Sequence, residues 1–338
     1  MLVPIWSHQI STSYLGAAIG PSDDGRPFSE IWPKTHDGMN LMSTWDVEHR
    51  WAISGPDALA DFARYQADNG RNVRPWCVVK GNQPEAEGRL AAEMAQAAAS
   101  ANLTRDAVII IDLEPYYHGG AGNPQFWRSD LWPAESADRA RRLLDAFADA
   151  GGQTAWIAGD VRSAHLAVVS YETWARHPVV SVHSPQTYFS IFDGDLNTSI
   201  ERARMHIDRA NNILAGYGVE PGRIGHILPA EGNPDVLVEA YGYCHSLGQL
   251  KPSIWQRVNI TPGVVSALAS AADPWHAAPP PPPRTSVGRE TRIEPIKVEA
   301  VAEGVRVFVD WGEVDEERFV RMFVPVEVTA KVRLVRDD

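Results

Sequence analysis

Over about the first 270 residues, short apolar runs alternate with segments whose apolar positions recur every three to four residues. Runs of the first kind fall at 38–46 (GMNLMSTWD), 72–81 (NVRPWCVVKG), 107–115 (AVIIIDLEP), 153–159 (QTAWIAG), 179–189 (VVSVHSPQTYF), 223–232 (RIGHILPAEG) and 252–258 (PSIWQRV). Each is rich in β-branched or aromatic residues and too apolar to keep one face in water, which predicts strands buried on both sides. Between them stand helix signals. Pro56 suits a first helical turn, Leu59, Phe62 and Ala63 form its buried stripe, and Gly70 closes it. Ser136 is placed to cap a helix carrying Ala140, Leu143, Leu144 and Phe147 that ends at Gly151 and Gly152. Thr198 and Glu201 read as a capping box ahead of Ile200, Ala203, Ile207 and Ile213.

This alternation predicts an α/β fold, and its length suits a (β/α)8 TIM-like barrel over residues 1–276. Seven strands are plain. Leu2 to Trp6 would supply the eighth if residues 7–38 formed a long irregular loop, and a doubly wound open sheet is the alternative.

Pro279 to Pro283 form a run that favours an extended spacer, so 277–289 is expected to be a proline-rich linker. Beyond it the pattern changes to strict alternation. Val305, Val307, Val309 and Trp311 share one face, and Val320, Met322, Val324, Val326, Val328, Ala330, Val332 and Leu334 form a second period-two stripe. Residues 290–338 are therefore expected to be a small antiparallel β domain. A module of about 50 residues without a disulfide or metal is marginal alone, so it should dock on the barrel or on copies of itself, making a homo-oligomer.

Composition narrows the function classes. Thirty-one Lys and Arg against 43 Asp and Glu give a formal net charge of −12, which repels a nucleic-acid backbone, and the cluster Arg139, Arg141 and Arg142 suits the wet side of a helix. No nucleic-acid partner is expected. No run of about 18 apolar residues encodes a membrane span, and the opening MLVPIWSHQ lacks a signal peptide's basic and apolar regions. The expected locale is cytoplasmic synthesis, with release by lysis or incorporation into a particle. Cys77 and Cys244 are too few for a disulfide framework and are expected reduced. The sequons at Asn102, Asn197 and Asn259 have no secretory route to use them. Twelve tryptophans are unusual, and serve either as core or as flat surfaces for sugar rings.

In a parallel α/β domain chemistry gathers at the C-terminal ends of strands. That selects Asp46, Lys80, Asp112 with Glu114, Asp160, Gln186 with Tyr188, Glu231, and Trp255 with Gln256. The segment IIIDLEPYYHG is the sharpest, because residues two apart on a strand project to the same side, here the barrel interior near its mouth. Two carboxyl groups held together cannot ionise equally, so one keeps its proton and becomes a general acid. The alternative is a pair that binds a metal, or salt-bridges to Lys80 or Arg162, and does no catalysis. No cofactor or preformed metal is expected: His-Glu-x-x-His, Walker A and Gly-x-Ser-x-Gly patterns are missing, and Gly216-Tyr217-Gly218 to Gly222 has the wrong spacing for a dinucleotide fingerprint. His183 reads as structural, and Tyr116, Tyr117 and His118 as loop packing.

These residues resemble retaining glycoside hydrolase barrels, chiefly family 25 lysozymes and more distantly family 18 chitinases. The strand-ending Asp-x-Glu, the Trp255-Gln256 pair and the aromatic-rich mouth are similar to the former, and Pro185-Gln186-x-Tyr188 to the latter. The chain departs from both: Trp45-Asp46-Val47-Glu48 stands where family 25 has Asp-Val-Ser, and Ala107 and Ile110 where family 18 has acids. The resemblance implies Glu114 as general acid/base, Asp112 as the carboxylate that orients a 2-acetamido group or stabilises an oxocarbenium ion, and Tyr188 as a hydrogen-bond partner of that group. Two functions follow as expectations. One is hydrolysis of a β-linked polysaccharide, with peptidoglycan a candidate. The other is a catalytically silent barrel that binds glycan or builds a larger assembly such as a phage particle.

Overall fold

The computed structural model describes residues 3–7, 28–44, 53–114, 127, 131–161, 163–255, 260–275, 296–302, 305–311, 319–323 and 327–331. The chain divides into two compact units, Met1–Ala278 and Pro279–Asp338.

The first unit is a (β/α)8 barrel. Its parallel strands are β1 (Val3–Ser7), β2 (Phe28–Asp37), β3 (Trp76–Val78), β4 (Val108–Asp112), β5 (Thr154–Gly159), β6 (Val180–Pro185), β7 (Ile227–Pro229) and β8 (Ser253–Trp255). They pair in the order β6-β5-β4-β3-β2-β1-β8-β7. Bridges from His183 to Ile224 and from Gln186 to Ile227 bring β6 to β7, so the ring closes and the open-sheet alternative falls.

One expected strand is misplaced. The barrel uses Phe28–Asp37, whereas 38–44 holds a turn, a two-residue strand at Asn40–Leu41 and a 3-10 turn at Met42–Thr44. Residues 7–38 are accordingly not one long loop. Pro33 inside β2 and the polar residues Glu30, Lys34 and His36 hide this strand from a hydrophobicity pattern, although 31–36 are all buried.

Helices α1 (Pro56–Asp68), α2 (Pro84–Ala101), α3 (Pro133–Asp149), α4 (Ser163–Val168), α5 (Tyr171–Arg176), α6 (Phe189–Asp193), α7 (Ile200–Ala215), α8 (Pro234–Ser246) and α9 (Pro262–Ser270) follow the strands. Two cap expectations shift. Pro133 opens α3, and Ser136 is a fully buried residue within it whose Oγ accepts from Trp127 Nε1 at 3.0 Å. Helix α7 is capped by Ser199, not Thr198, through a bond from the Arg202 amide to Ser199 Oγ at 3.4 Å. On α3, Arg139 pairs with Glu135, Arg141 with Asp138 and Arg142 with Glu85, the solvated face expected of that cluster. No helix among the described residues is long and apolar enough to cross a membrane.

Strand alternation sorts the core into two shells. Outward residues such as Ile5, Cys77, Ile109, Ile111, Ile157, Leu228 and Ile254 pack under the helices. Inward residues fill the lumen with Trp6, Trp32, Trp76, Val78, Ile110, Ala158 and Ile227, joined by the partly buried Trp156, Tyr188 and Trp255. Trp6 lies edge-on to Trp32, Trp76 and Trp255, with centroids 5.3, 5.0 and 5.6 Å away. Five tryptophans thus occupy a space that barrels ordinarily fill with branched aliphatics. At one end of this stack Arg74 pairs with Glu30 at 3.1 Å and lies over the Trp156 ring at 4.1 Å.

The second unit contains two antiparallel pairs, β9 (Ile296–Ala302) with β10 (Val305–Trp311) and β11 (Phe319–Phe323) with β12 (Glu327–Lys331). The stripe expected to run unbroken from Val320 to Leu334 instead folds back, pairing Val320 with Ala330 and Met322 with Val328. Pro325, between the two strands, lacks the amide a continuous ladder needs. The 277–289 segment lies outside the described residues.

Candidate active site

The β4 sequence puts Val108, Ile110 and Asp112 on the lumen side and Ile109 and Ile111 under the helices. Asp112 is therefore delivered to the mouth by the same alternation that buries the isoleucines. Glu114, two residues on, is half-buried. The Trp127 amide donates to its carbonyl at 2.9 Å, and Trp127 is itself fully buried and edge-on to Trp174 at 5.2 Å. Beneath this segment Gly159 leaves no room for a side chain: a Cβ there would sit 2.4 Å from the Leu113 carbonyl oxygen.

Gln186 ties the pair together. Its Nε2 donates to Asp112 Oδ1 at 3.1 Å and to Glu114 Oε1 at 2.5 Å, from a position just past β6 where its own amide bonds the Gly159 carbonyl. Burial pushes the Asp112 carboxyl well above the usual carboxylate range, and the neighbouring Glu114 and Asp37 push it further, while Lys34 and the Gln186 bond pull it down. Tyr188 lies in the field of the same groups. Its hydroxyl is driven upward by burial, then by Asp112, Glu114 and Asp160, and its ring is 6.5 Å from that of Trp255.

The structure thus brings Asp112, Glu114, Gln186, Tyr188, Asp160 and Trp255 to one end of the barrel. Asp160 ends β5, and its Oδ2 lies 3.2 Å from His165 Nδ1. Glu231 follows β7, where its carbonyl accepts from Ser190 Oγ at 3.5 Å. Asp46 and Gln256 lie outside the described residues, as do Tyr116, Tyr117, His118 and Arg162. The strand that Asp46 was to end is not in the barrel, so its assignment by strand position lapses. Lys80, beyond β3, contributes its amide to a loop clamp: Glu87, 1% exposed, accepts from the amides of Lys80, Gly81, Asn82 and Gln83 at 2.8 to 3.1 Å.

Two residues that the sequence pattern passed over, Asp37 and Lys34, belong to this end. Asp37 ends β2, and in the strand register Asp37, Val78, Asp112, Ala158 and Ser184 form one continuous row. Lys34 bonds Asp37 Oδ2 at 3.1 Å, with its ammonium 5.1 Å over the Trp76 ring. Only recognition of the Trp32-Pro33 strand would have revealed them. His183, by contrast, faces outward, bonding Tyr171 Oη at 2.6 Å, and burial followed by the nearby Arg223 lowers its pKa to about 3. Among the described residues no group of three or more His, Cys, Asp or Glu side chains is arranged to hold a metal.

No family model and no curated protein matches the chain. Solved structures of similar fold include the C-terminal domain of a putative chitinase from Desulfitobacterium hafniense DCB-2, at 10% identity and TM-score 0.47, covering 79% of this chain and 98% of that one. The likeness is one of fold. A GH18 chitinase from Pseudoalteromonas aurantia gives 10% and 0.48, over 80% of this chain and 99% of that one. A sugar phosphate isomerase/epimerase from Parabacteroides distasonis ATCC 8503 gives 8% and 0.43, over 80% and 93%. One barrel architecture hosts several activities, so function must be argued from the site.

Proposed function

We propose that the chain is a glycoside-hydrolase-like protein that cleaves a β-linked polysaccharide, with Glu114 as general acid/base. The observation that carries this reading is the single Gln186 nitrogen bonded to both Glu114 and Asp112. Two carboxyl groups so close retain a proton to higher pH than either would alone, which supplies a general acid. Half-buried Glu114 is the member that a glycosidic oxygen can approach. Buried Asp112 is placed to orient the reacting sugar or to stabilise positive charge developing at its anomeric carbon. Tyr188 and Trp255 offer a hydroxyl and an aromatic face to that sugar, and Asp160 lies within reach electrostatically.

The tryptophan-filled lumen favours a second reading, a barrel that binds glycan without cleaving it. Assaying release of reducing ends from chitin and peptidoglycan by the full chain and by Glu114→Gln, with binding followed by tryptophan fluorescence, separates the two.

For the second unit we propose self-association. Two-stranded pairs are marginal in water on their own, and copies of the same chain are the most economical cover for their apolar residues.

A further inference from the structure

We infer that His226, buried behind the sheet, is a positioning residue of the active site: acting through Thr187, it holds Gln186 onto the Asp112 and Glu114 carboxyl groups. The inference adds a residue to the site described above and rests on the hydrolytic reading.

Gln186 and Tyr188 face the lumen, so Thr187 between them faces the helices, as does His226, one residue before inward Ile227. Thr187 is 2% exposed and His226 is fully buried. Their side chains meet, with Thr187 Oγ1 2.8 Å from His226 Nδ1. On the other side of the ring, Nε2 donates to Asn211 Oδ1 of α7 at 3.0 Å, and Gln249 Nε2 donates to that same oxygen at 2.6 Å. Gln249 is fixed in turn by its own amide on the Cys244 carbonyl and by Trp275 Nε1, which donates to the Gln249 carbonyl at 3.1 Å. A chain of polar contacts therefore runs from the end of β6 past the start of β7 to α7 and the loop after α8.

Chemistry orders this chain. The Asn211 oxygen can only accept, so Nε2 carries the ring proton and Nδ1 is left to accept from the Thr187 hydroxyl. Burial lowers the His226 pKa to about 3, which keeps the ring neutral and this arrangement fixed near neutrality. The residues that α7 buries here are otherwise Ala203, Ile207, Ala210 and Leu214, and apolar packing alone would hold helix to sheet without the desolvation cost of buried polar groups. What the polar chain adds is direction, and it ends on the residue between Gln186 and Tyr188. The Gln186 amide is held from one neighbouring strand by the Gly159 carbonyl, and the Thr187 amide from the other by the Ile227 carbonyl. The Thr187 side chain supplies a third anchor, from behind, for a segment in which Gln186 Nε2 has to reach two carboxyl oxygens at once.

The test uses the full chain carrying His226→Leu, which keeps bulk, leaves the Thr187 hydroxyl the Pro185 carbonyl at 3.3 Å and leaves Asn211 its bond from Gln249. Glycan cleavage should fall about tenfold in kcat with KM within about twofold, and on a Gln186→Leu background the same change should cost less than about twofold. Infrared difference spectra, with the Asp112 band assigned by its loss in Asp112→Asn, give a second readout. Asp112 should keep its proton to higher pH than in the parent, because the Gln186 bond that lowers it is weakened. A folded His226→Leu chain whose rate loss persists in full without Gln186, or whose Asp112 titrates as in the parent, overturns the inference. If His226→Leu fails to fold, Thr187→Val is read by the same two measurements, and Thr187→Ser, which keeps the hydroxyl, should reverse its effects. The infrared result needs no turnover: a parent that releases no reducing ends overturns the hydrolytic reading alone, and an unmoved Asp112 in an active chain overturns only this inference.

Discussion

Asp112 and Glu114 accept hydrogen bonds from one nitrogen, Gln186 Nε2, although Gln186 lies more than 70 residues further along the chain. Strand alternation brings the two carboxyl groups to one side, and barrel closure brings β6 round to bridge them. The deeper member is held above its ordinary range by burial and by its neighbour's charge. Local spacing and global topology therefore combine in a single contact.

Replacing Gln186 by Leu removes that donor while keeping bulk. Hydrogen bonds to charged groups are worth about 1.5–3 kcal/mol, so the rate of glycan cleavage should fall roughly tenfold to a hundredfold. Because the Gln186 bond lowers the Asp112 carboxyl, its loss raises that group further, and since Asp112 acts as an ionised carboxylate the acid limb of the pH–rate profile should move upward. A downward or unmoved limb in the measured profile would contradict this electrostatic role.

Gly159 carries a steric prediction. Gly159→Ala drives a methyl group into the Leu113 carbonyl, a backbone atom that cannot swing away, and the shift displaces the segment bearing Asp112 and Glu114. The expected cost is about 1–3 kcal/mol in a denaturant melt, together with weakened glycan binding. Gly222→Ala, where a Cβ meets no atom within 4 Å, is the matched control and should leave both unchanged.

Acid should unfold the barrel from within. His36, His183 and His226 each have a pKa lowered to about 3 from 6.5, in every case chiefly by burial, with Lys34 acting on His36 and Arg223 on His183. Between those values the unfolded chain binds protons that the folded chain refuses, so stability is full above about pH 6.5 and declines as pH falls toward 3. Asp112 works in the opposite sense, its raised carboxyl favouring the fold below its unfolded pKa and losing that contribution as pH rises through its folded value. Three histidines outweigh one carboxyl. Melting temperatures measured from pH 7 to pH 4 should fall steadily, and a flat or rising series would refute the account of these buried rings.

Light scattering tests the second unit. The full chain should be oligomeric and a chain truncated after Ala278 monomeric, and a monomeric full chain would place the cover of β9 to β12 elsewhere.

The barrel was legible because most of its strands after β2 are short apolar runs and five of its helices open at prolines. Strand β2 was not, since its inward residues Lys34 and Asp37 are polar for the sake of the mouth, and Pro33 reads as a break. The carboxyl pair was visible from spacing alone. Its relations were not: nothing local couples Gln186 to Asp112, or aligns Asp37 with Val78 and Asp112. The tryptophans were conspicuous in the composition, yet only the fold distinguishes fully buried Trp6 and Trp76, packed in the lumen, from half-buried Trp255 beside Tyr188. In the tail, a period of two is blind to a reversal of direction, and the register pairs Val320 with Ala330 and Met322 with Val328 where the pattern read one continuous strand.

The most direct measurement is reducing-end release by Glu114→Gln compared with the unmodified chain, at equal glycan occupancy. The substitution preserves size and hydrogen bonding but removes the transferable proton. Hydrolysis should fall by about 10² to 10⁴ while glycan binding and the melting temperature stay close to those of the parent. Cleavage by Glu114→Gln within about threefold of the parent would show that Glu114 is not the proton donor.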